Sequence, residues 1–292
     1  MIVSIKRREE NAMHYRHCRS SLVAIAALLC LSMAADAQEA KKYAAFEGMW
    51  DRGSPLGSWD PTKPPGRGQQ APLTPEYQAV YEANIAKDKA GLEFDPKFTC
   101  GPVGMPRVMN MNQPMEFIIK PTVIYMLLES QSPIRRIYTD GRPWPKEPDR
   151  AYVGYSIGQW LDTDNDGIYD TLEVETRALK GVRLMDNSGI PLASDGETVV
   201  KEKMYLDKAN PDIMHNEITT IDHAFTRPWT VSRFYKRVHN GRPQEYNCAE
   251  DNRWVVIGGR TYVTDTEGYL MPIQKDEPPP DPKLFQKYFP KK

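Results

Sequence analysis

The chain lacks a surplus of charge, long apolar runs and the short motifs that mark the commoner chemistries. No apolar run approaches the roughly 20 residues that a bilayer-spanning helix needs, which argues against a helical membrane span. Lys and Arg number 38 against 39 Asp and Glu, so there is no basic excess to attract nucleic acid. No Gly-rich phosphate loop, Gly-x-Ser-x-Gly elbow or His/Cys zinc spacing occurs, which weakens nucleotide, hydrolase and zinc-enzyme readings. Cysteine is scarce: of Cys18, Cys30, Cys100 and Cys248, the last two lie in no Cys-x-x-Cys or Cys/His cluster of the kind that activates a thiol.

What is present begins with an export signal. Arg16, His17 and Arg19 precede an apolar run from Leu22 to Leu31, which ends in Ala35-Asp36-Ala37. This pattern reads as a signal peptide over residues 1–37, and it implies a periplasmic or secreted protein starting near Gln38. Met13 is an alternative start that would leave a more compact signal. Residues 1–37 carry five Lys/Arg and three Asp/Glu, which leaves 33 basic against 36 acidic residues. Cys18 and Cys30 leave with the leader. The remaining pair, Cys100 and Cys248, is most simply a disulfide in an oxidising compartment.

Residues 38–90 combine a Pro/Gly-rich extended segment with one helix, in which Thr74 is the N-cap, Pro75 the first helical residue and Gly91 the stop. Residues 276–292 form a Pro-rich tail. Between them, in a domain spanning 91–275, strand-length apolar or alternating stretches are separated by turn residues. They fall at 115–120, 123–129, 134–139, 151–160, 169–176, 198–206, 213–222, 230–238, 254–256 and 261–264. No amphipathic helix separates them. The expected fold is therefore all-β with one N-terminal helix, an antiparallel meander closed as a lipocalin-like barrel, with a β-sandwich as the alternative.

Three clusters could carry chemistry. Asp162, Asp164, Asp166, the Ile168 carbonyl, Asp170 and Glu173 satisfy a calcium-loop pattern, in which alternate hard oxygens curl around Gly167. The flanks read as strands, so calcium would be a structural ligand and not a switch. An acidic hairpin turn is the competing reading. His215 and Glu217 share one strand face with Ile213 and Ile221, and they form an acid/base couple if that face is interior. If it is exterior they are solvated residues. Arg136 and Tyr138 likewise alternate onto one face, where an inward Arg could hold a carboxylate or stabilise developing negative charge; pairing with an acidic residue on a neighbouring strand is the alternative. Tyr138, Tyr155, Trp160, Met204 and Trp229 are candidate ligand-lining residues, with Asp222 adding polarity, unless they are plain core.

Cys100-Gly-Pro-Val-Gly-Met-Pro106, Arg136-Ile-Tyr-Thr-Asp-Gly-Arg142, Gly154-Tyr-Ser-Ile-Gly-Gln-Trp160, Leu172-Glu-Val-Glu-Thr176, Arg227-Pro-Trp-Thr230 and Tyr246-Asn-Cys248-Ala-Glu250 extend over most of residues 90–252. In these pieces the chain resembles an uncharacterised family of exported bacterial proteins. The resemblance implies a lipocalin-like meander with both cysteines as recurring features. The sequence departs from that pattern at Leu192, where many relatives carry a His, and in the acidic stretch Asp162–Asp166. The functional expectation is a periplasmic barrel that takes a small, mainly apolar molecule into its mouth, as an isomerase, hydratase or lyase working without an organic cofactor. A non-catalytic carrier and a calcium-stabilised structural protein of the envelope are the alternatives.

Overall fold

Alternation of apolar and polar side chains sets the architecture, because successive strand residues point to opposite faces. The computed structural model describes residues 42–54, 58–111, 113–129, 133–243, 247–265 and 269–272; the expected signal peptide (1–37) and Pro-rich tail (276–292) lie outside the described residues. The chain divides between Ala45 and Phe46 into two units, and the account below concerns the second.

Among the described residues nine strands close into a barrel in sequence order. They are β1 (Gly48–Arg52), β2 (Met115–Lys120), β3 (Val123–Leu128), β4 (Ile134–Tyr138), β5 (Tyr155–Leu161), β6 (Thr171–Arg177), β7 (Val199–Leu206), β8 (Ile213–Ile221) and β9 (Trp229–Arg237). Closure comes from β1, where Trp50 stands opposite Met115 of β2 and Arg237 of β9. The barrel, and not the sandwich, is the fold. Two features correct the expected organisation. First, β1 is a barrel strand inside the stretch assigned as extended, so the barrel begins well before residue 91. Second, β4 and β5 pair in parallel, with Ile137 opposite Ser156, and the meander is not wholly antiparallel. The connection 139–154 holds Pro143 and Pro145 and is too long for a hairpin. It returns the chain to the starting end of the barrel, as a parallel crossover requires.

Helix α1 (Pro75–Lys89) starts as its cap predicts, with Thr74 accepting a hydrogen bond from the Tyr77 amide at 3.4 Å, and the chain leaves it through Gly91 at φ +65°. A short helix α2 (Cys248–Asp251) leads into a second sheet of β10 (Trp254–Ile257), β11 (Arg260–Thr264) and β12 (Leu270–Pro272), which has its own small core of Ile257, Tyr262 and Leu270. Among the described residues no helix is long and apolar enough to cross a membrane.

The barrel is filled. Phe117, Ile124, Met126, Ile137, Leu172, Met204, Met214 and Ile218 are fully buried on its inner face. A 3-10 turn, Arg107–Asn110, plugs one mouth. Its Met109 carbonyl accepts a hydrogen bond from the Tyr235 hydroxyl at 2.8 Å, and its Asn110 amide donates to the Ser58 carbonyl at 3.2 Å. The plug is anchored by the buried pair Arg107–Asp95, bidentate at 2.9 and 2.7 Å.

Cys100 and Cys248 are disulfide-bonded, with Cα atoms 5.7 Å apart and 148 residues between them in sequence. The bond ties the turn Pro96–Thr99 to the approach of the second sheet, where Phe98 packs edge-on against Trp254 at 4.2 Å. A loop of that length lowers the entropy of the unfolded chain by the equivalent of about 4–5 kcal/mol in the simplest account. The denatured, unreduced mature protein should therefore show no free thiol, and reduction should lower its unfolding midpoint. Two reactive thiols would remove the clamp from this fold.

Candidate functional site

A belt of polar side chains crosses the barrel interior. Five successive strands contribute one residue each: Arg135 (β4), Ser156 (β5), Thr176 (β6), Glu202 (β7) and Asn216 (β8), all buried. Arg135 forms a bidentate ion pair with Glu202, one arm at 3.2 Å and the other, Nη2 to Oε2, shorter still. Its Nη2 also donates to Thr176 Oγ1 at 2.8 Å and its Nε to Ser156 Oγ at 3.3 Å. Asn216 donates to Glu202 Oε1 at 3.1 Å. Both charges are thus paired and further hydrogen-bonded, the condition under which a buried ion pair is tolerated.

Toward the plugged mouth the inner face carries Tyr235, Arg233 and, opposite Tyr235 in register, Arg52. Burial pushes the Tyr235 phenol up to about 12, which keeps it a neutral donor to the Met109 carbonyl. Burial also lowers the Arg52 and Arg233 guanidinium pKa values, and at Arg233 the neighbouring Arg52 charge acts in the same direction. Arg52 borders a shallow, half-open cleft whose side chains, as they stand, leave room between them for about one water molecule. Trp50, Met109, Met115, Leu128 and Tyr235 line it, and Gln113 adds an amide.

Several predicted site residues stand elsewhere. The inner face of β8 is Met214, Asn216, Ile218 and Thr220, so His215 and Glu217 point outward. Ile213 and Ile221 face outward with them, which corrects the premise of an interior acid/base pair. His215 stacks on Tyr205 with ring centroids 5.2 Å apart and reaches Asp207 at 3.2 Å, while Glu217 accepts from the Tyr205 hydroxyl at 3.2 Å. On β4 the parity is likewise opposite to expectation: Arg135 is inside, and Arg136 is exposed with its guanidinium 5.9 Å from the Tyr125 ring. Tyr138 and Tyr155 also lie outside, 5.1 Å apart, with Arg142 stacked 3.8 Å over Tyr138. They line no interior.

Met204 and Trp229 are inward, buried core. Trp229 packs edge-on against Phe225 at 5.7 Å. Trp160 sits half-buried at a barrel end, 5.0 Å from Phe46 and 5.9 Å from Tyr169. Asp222 has a structural role. It accepts from the Ala193 and Ala224 amides at 2.9 and 2.8 Å and from Thr198 Oγ1 at 2.5 Å, tying a loop to the end of β8.

In the acidic loop the carboxylate oxygens of Asp162, Asp164 and Asp166 lie within 4.8 Å of one another. Asp162 also accepts from the Asp166 and Gly167 amides at 3.1 and 2.9 Å. Asp170 is turned instead to Thr163, whose hydroxyl donates to it at 2.5 Å. Glu173 lies on the exposed face of β6 opposite Lys203, and Ile168 is exposed. Three of the five expected carboxylates are thus brought together.

Sequence reasoning missed Arg52, Arg135, Glu202 and Arg233. Arg52 is hidden in a short Gly-Met-Trp-Asp-Arg strand beside Pro-rich sequence, and Glu202 alternates with Lys201 and Lys203 as a solvated residue would. Comparisons with protein-family models, with curated proteins and with solved structures gave no match.

Removing one partner of a buried ion pair leaves the other charge uncompensated, at a cost of about 3–5 kcal/mol. Urea unfolding should show Glu202→Gln destabilised on that scale and His215→Ala changed by about 0.5 kcal/mol or less, as a surface position. Comparable losses in both variants would contradict the assignment of faces.

Proposed function

We propose that the protein is an exported, lipocalin-like binding protein that seats a small, mainly apolar molecule at the plugged mouth of its barrel. The observation that carries this reading is the cleft of Trp50, Met109, Met115, Leu128 and Tyr235, an apolar concavity with a few polar groups at its border. Small-molecule sites commonly take this form. Isomerase, hydratase or lyase chemistry loses the acid/base couple that motivated it, because His215 and Glu217 stand on the outer face, so binding and not turnover is the function the geometry supports. The export-signal pattern of residues 1–37 is what supports a periplasmic or secreted location. No part of the reading calls on nucleic acid, a membrane span or an organic cofactor.

Benzyl alcohol is a suitable neutral probe for the cleft, followed by the thermal midpoint and by tryptophan fluorescence, to which Trp50 contributes. Saturation at a hundredfold excess over the dissociation constant raises stability by about 2.7 kcal/mol. Leu128→Trp, which fills the cleft, should abolish the response. A response that survives the filled cleft would move the seat elsewhere.

The acidic loop supports an added element of the same reading, calcium as a structural ligand held by Asp162, Asp164 and Asp166. Three carboxylates within 4.8 Å repel one another unless a cation offsets them. Chelator should lower the thermal midpoint and millimolar calcium should restore it. An unchanged midpoint leaves an acidic hairpin turn and nothing more.

A further inference from the structure

The inner face of the barrel holds more cationic charge than it neutralises. Among the described strand residues Arg52, Arg135, Arg233 and, at the end of β9, Arg237 lie on the inner face, whereas Glu202 is the single inward carboxylate; Arg237 is met by Asp212 at 3.0 Å. Glu202 is taken by Arg135. Arg233, 1% exposed, uses only Nη1, which donates to the Ser58 and Trp59 carbonyls. Its Nε and Nη2 are buried with no hydrogen-bond partner among the described residues, and the same holds for Nε and Nη1 of Arg52. A guanidinium that is desolvated without an anion is costly, and its unused N–H groups add a further penalty. Folds retain such groups where a ligand completes them.

We propose that the molecule seated at the barrel mouth carries an anionic head, a carboxylate, held by Arg52 with the Arg233 charge behind it; this rests on the cleft being the ligand seat. Hydrogen bonds between two charged groups are the stronger kind. At the border of the cleft Nε and Nη1 of Arg52 have no partner among the described residues; they lie on different edges of the guanidinium, so each offers its own charge-assisted hydrogen bond to a carboxylate oxygen. Apart from the Gln113 amide and the Tyr235 hydroxyl, which is taken by the Met109 carbonyl, the remaining lining is apolar, Trp50, Met109, Met115 and Leu128 among it, and offers contact to an apolar body. The ligand class is therefore a small organic acid with an aromatic or aliphatic body.

The test compares benzoate with its uncharged counterparts, benzamide and benzyl alcohol, on the wild-type mature protein by calorimetric titration, with inorganic phosphate as a fourth probe. A charge-assisted hydrogen bond contributes enough that benzoate should bind about tenfold tighter than benzamide. Arg52→Gln should bring that ratio close to one. Equal affinities for benzoate and benzamide in the wild type would overturn the anionic head and leave the cleft as a neutral seat. Binding of none of the three aromatic probes would remove the seat itself, and the anionic head with it. Phosphate binding as tightly as benzoate would contradict the organic class. A benzoate preference that persists in a folded Arg52→Gln protein would overturn the assignment to Arg52. The wild-type comparison stands whether or not the variant folds.

Discussion

The Arg135–Glu202 ion pair is the constraint on which the rest of the barrel depends. The belt around it draws one side chain from each of β4, β5, β6, β7 and β8, so a single cluster fixes five neighbouring strands against one another. A one-residue slip in any strand sends its whole inner set to the outside. For β4 or β7 such a slip would also strand a buried charge without its partner, which costs far more than a lost apolar contact. The same guanidinium lies 3.6 Å from the Met109 sulfur, so the belt also touches the plug. Across the parallel β4–β5 pair, Arg135 Nε donates to Ser156 Oγ at 3.3 Å.

A barrel so filled has consequences for function. The barrel interior is filled by apolar side chains around a charged and polar belt, and a shallow cleft lies at the plugged mouth. There the polar balance is not closed. Arg135 is fully served by Glu202, Thr176 and Ser156, whereas Arg52 and Arg233 hold unused donors beside a largely apolar lining. The contrast between a satisfied arginine in the middle of the barrel and unsatisfied ones at its mouth is the observation behind the proposed binding.

Much of the fold is legible in the residues themselves. Thr74 and Pro75 mark the start of α1, the lone pair Cys100 and Cys248 marks the disulfide, and the alternating stretches mark the strands of the barrel after the first. The site is less legible, because pattern reading assumes that apolar residues face inward. In β8 the fully buried face carries Asn216 and Thr220, while Ile213 and Ile221 face out beside His215, so the usual inference inverts. In β4 two adjacent arginines offer no local reason to choose Arg135 over Arg136; the choice is made by Glu202, which lies 67 residues away in sequence. The belt is a long-range interaction, and only the closed barrel brings its members together.

The central claim is that Arg135 is completed by the protein, whereas Arg52, with the Arg233 charge behind it, is completed by a ligand. Nitrogen-15 resonances of the arginine side chains, followed while benzoate is added, test this most directly. The account predicts that the Nε signals of Arg52 and Arg233 move together on one binding curve while that of Arg135 stays fixed. Movement confined to surface arginines such as Arg136, or a shift of Arg135 with Arg52 and Arg233 unmoved, would contradict it.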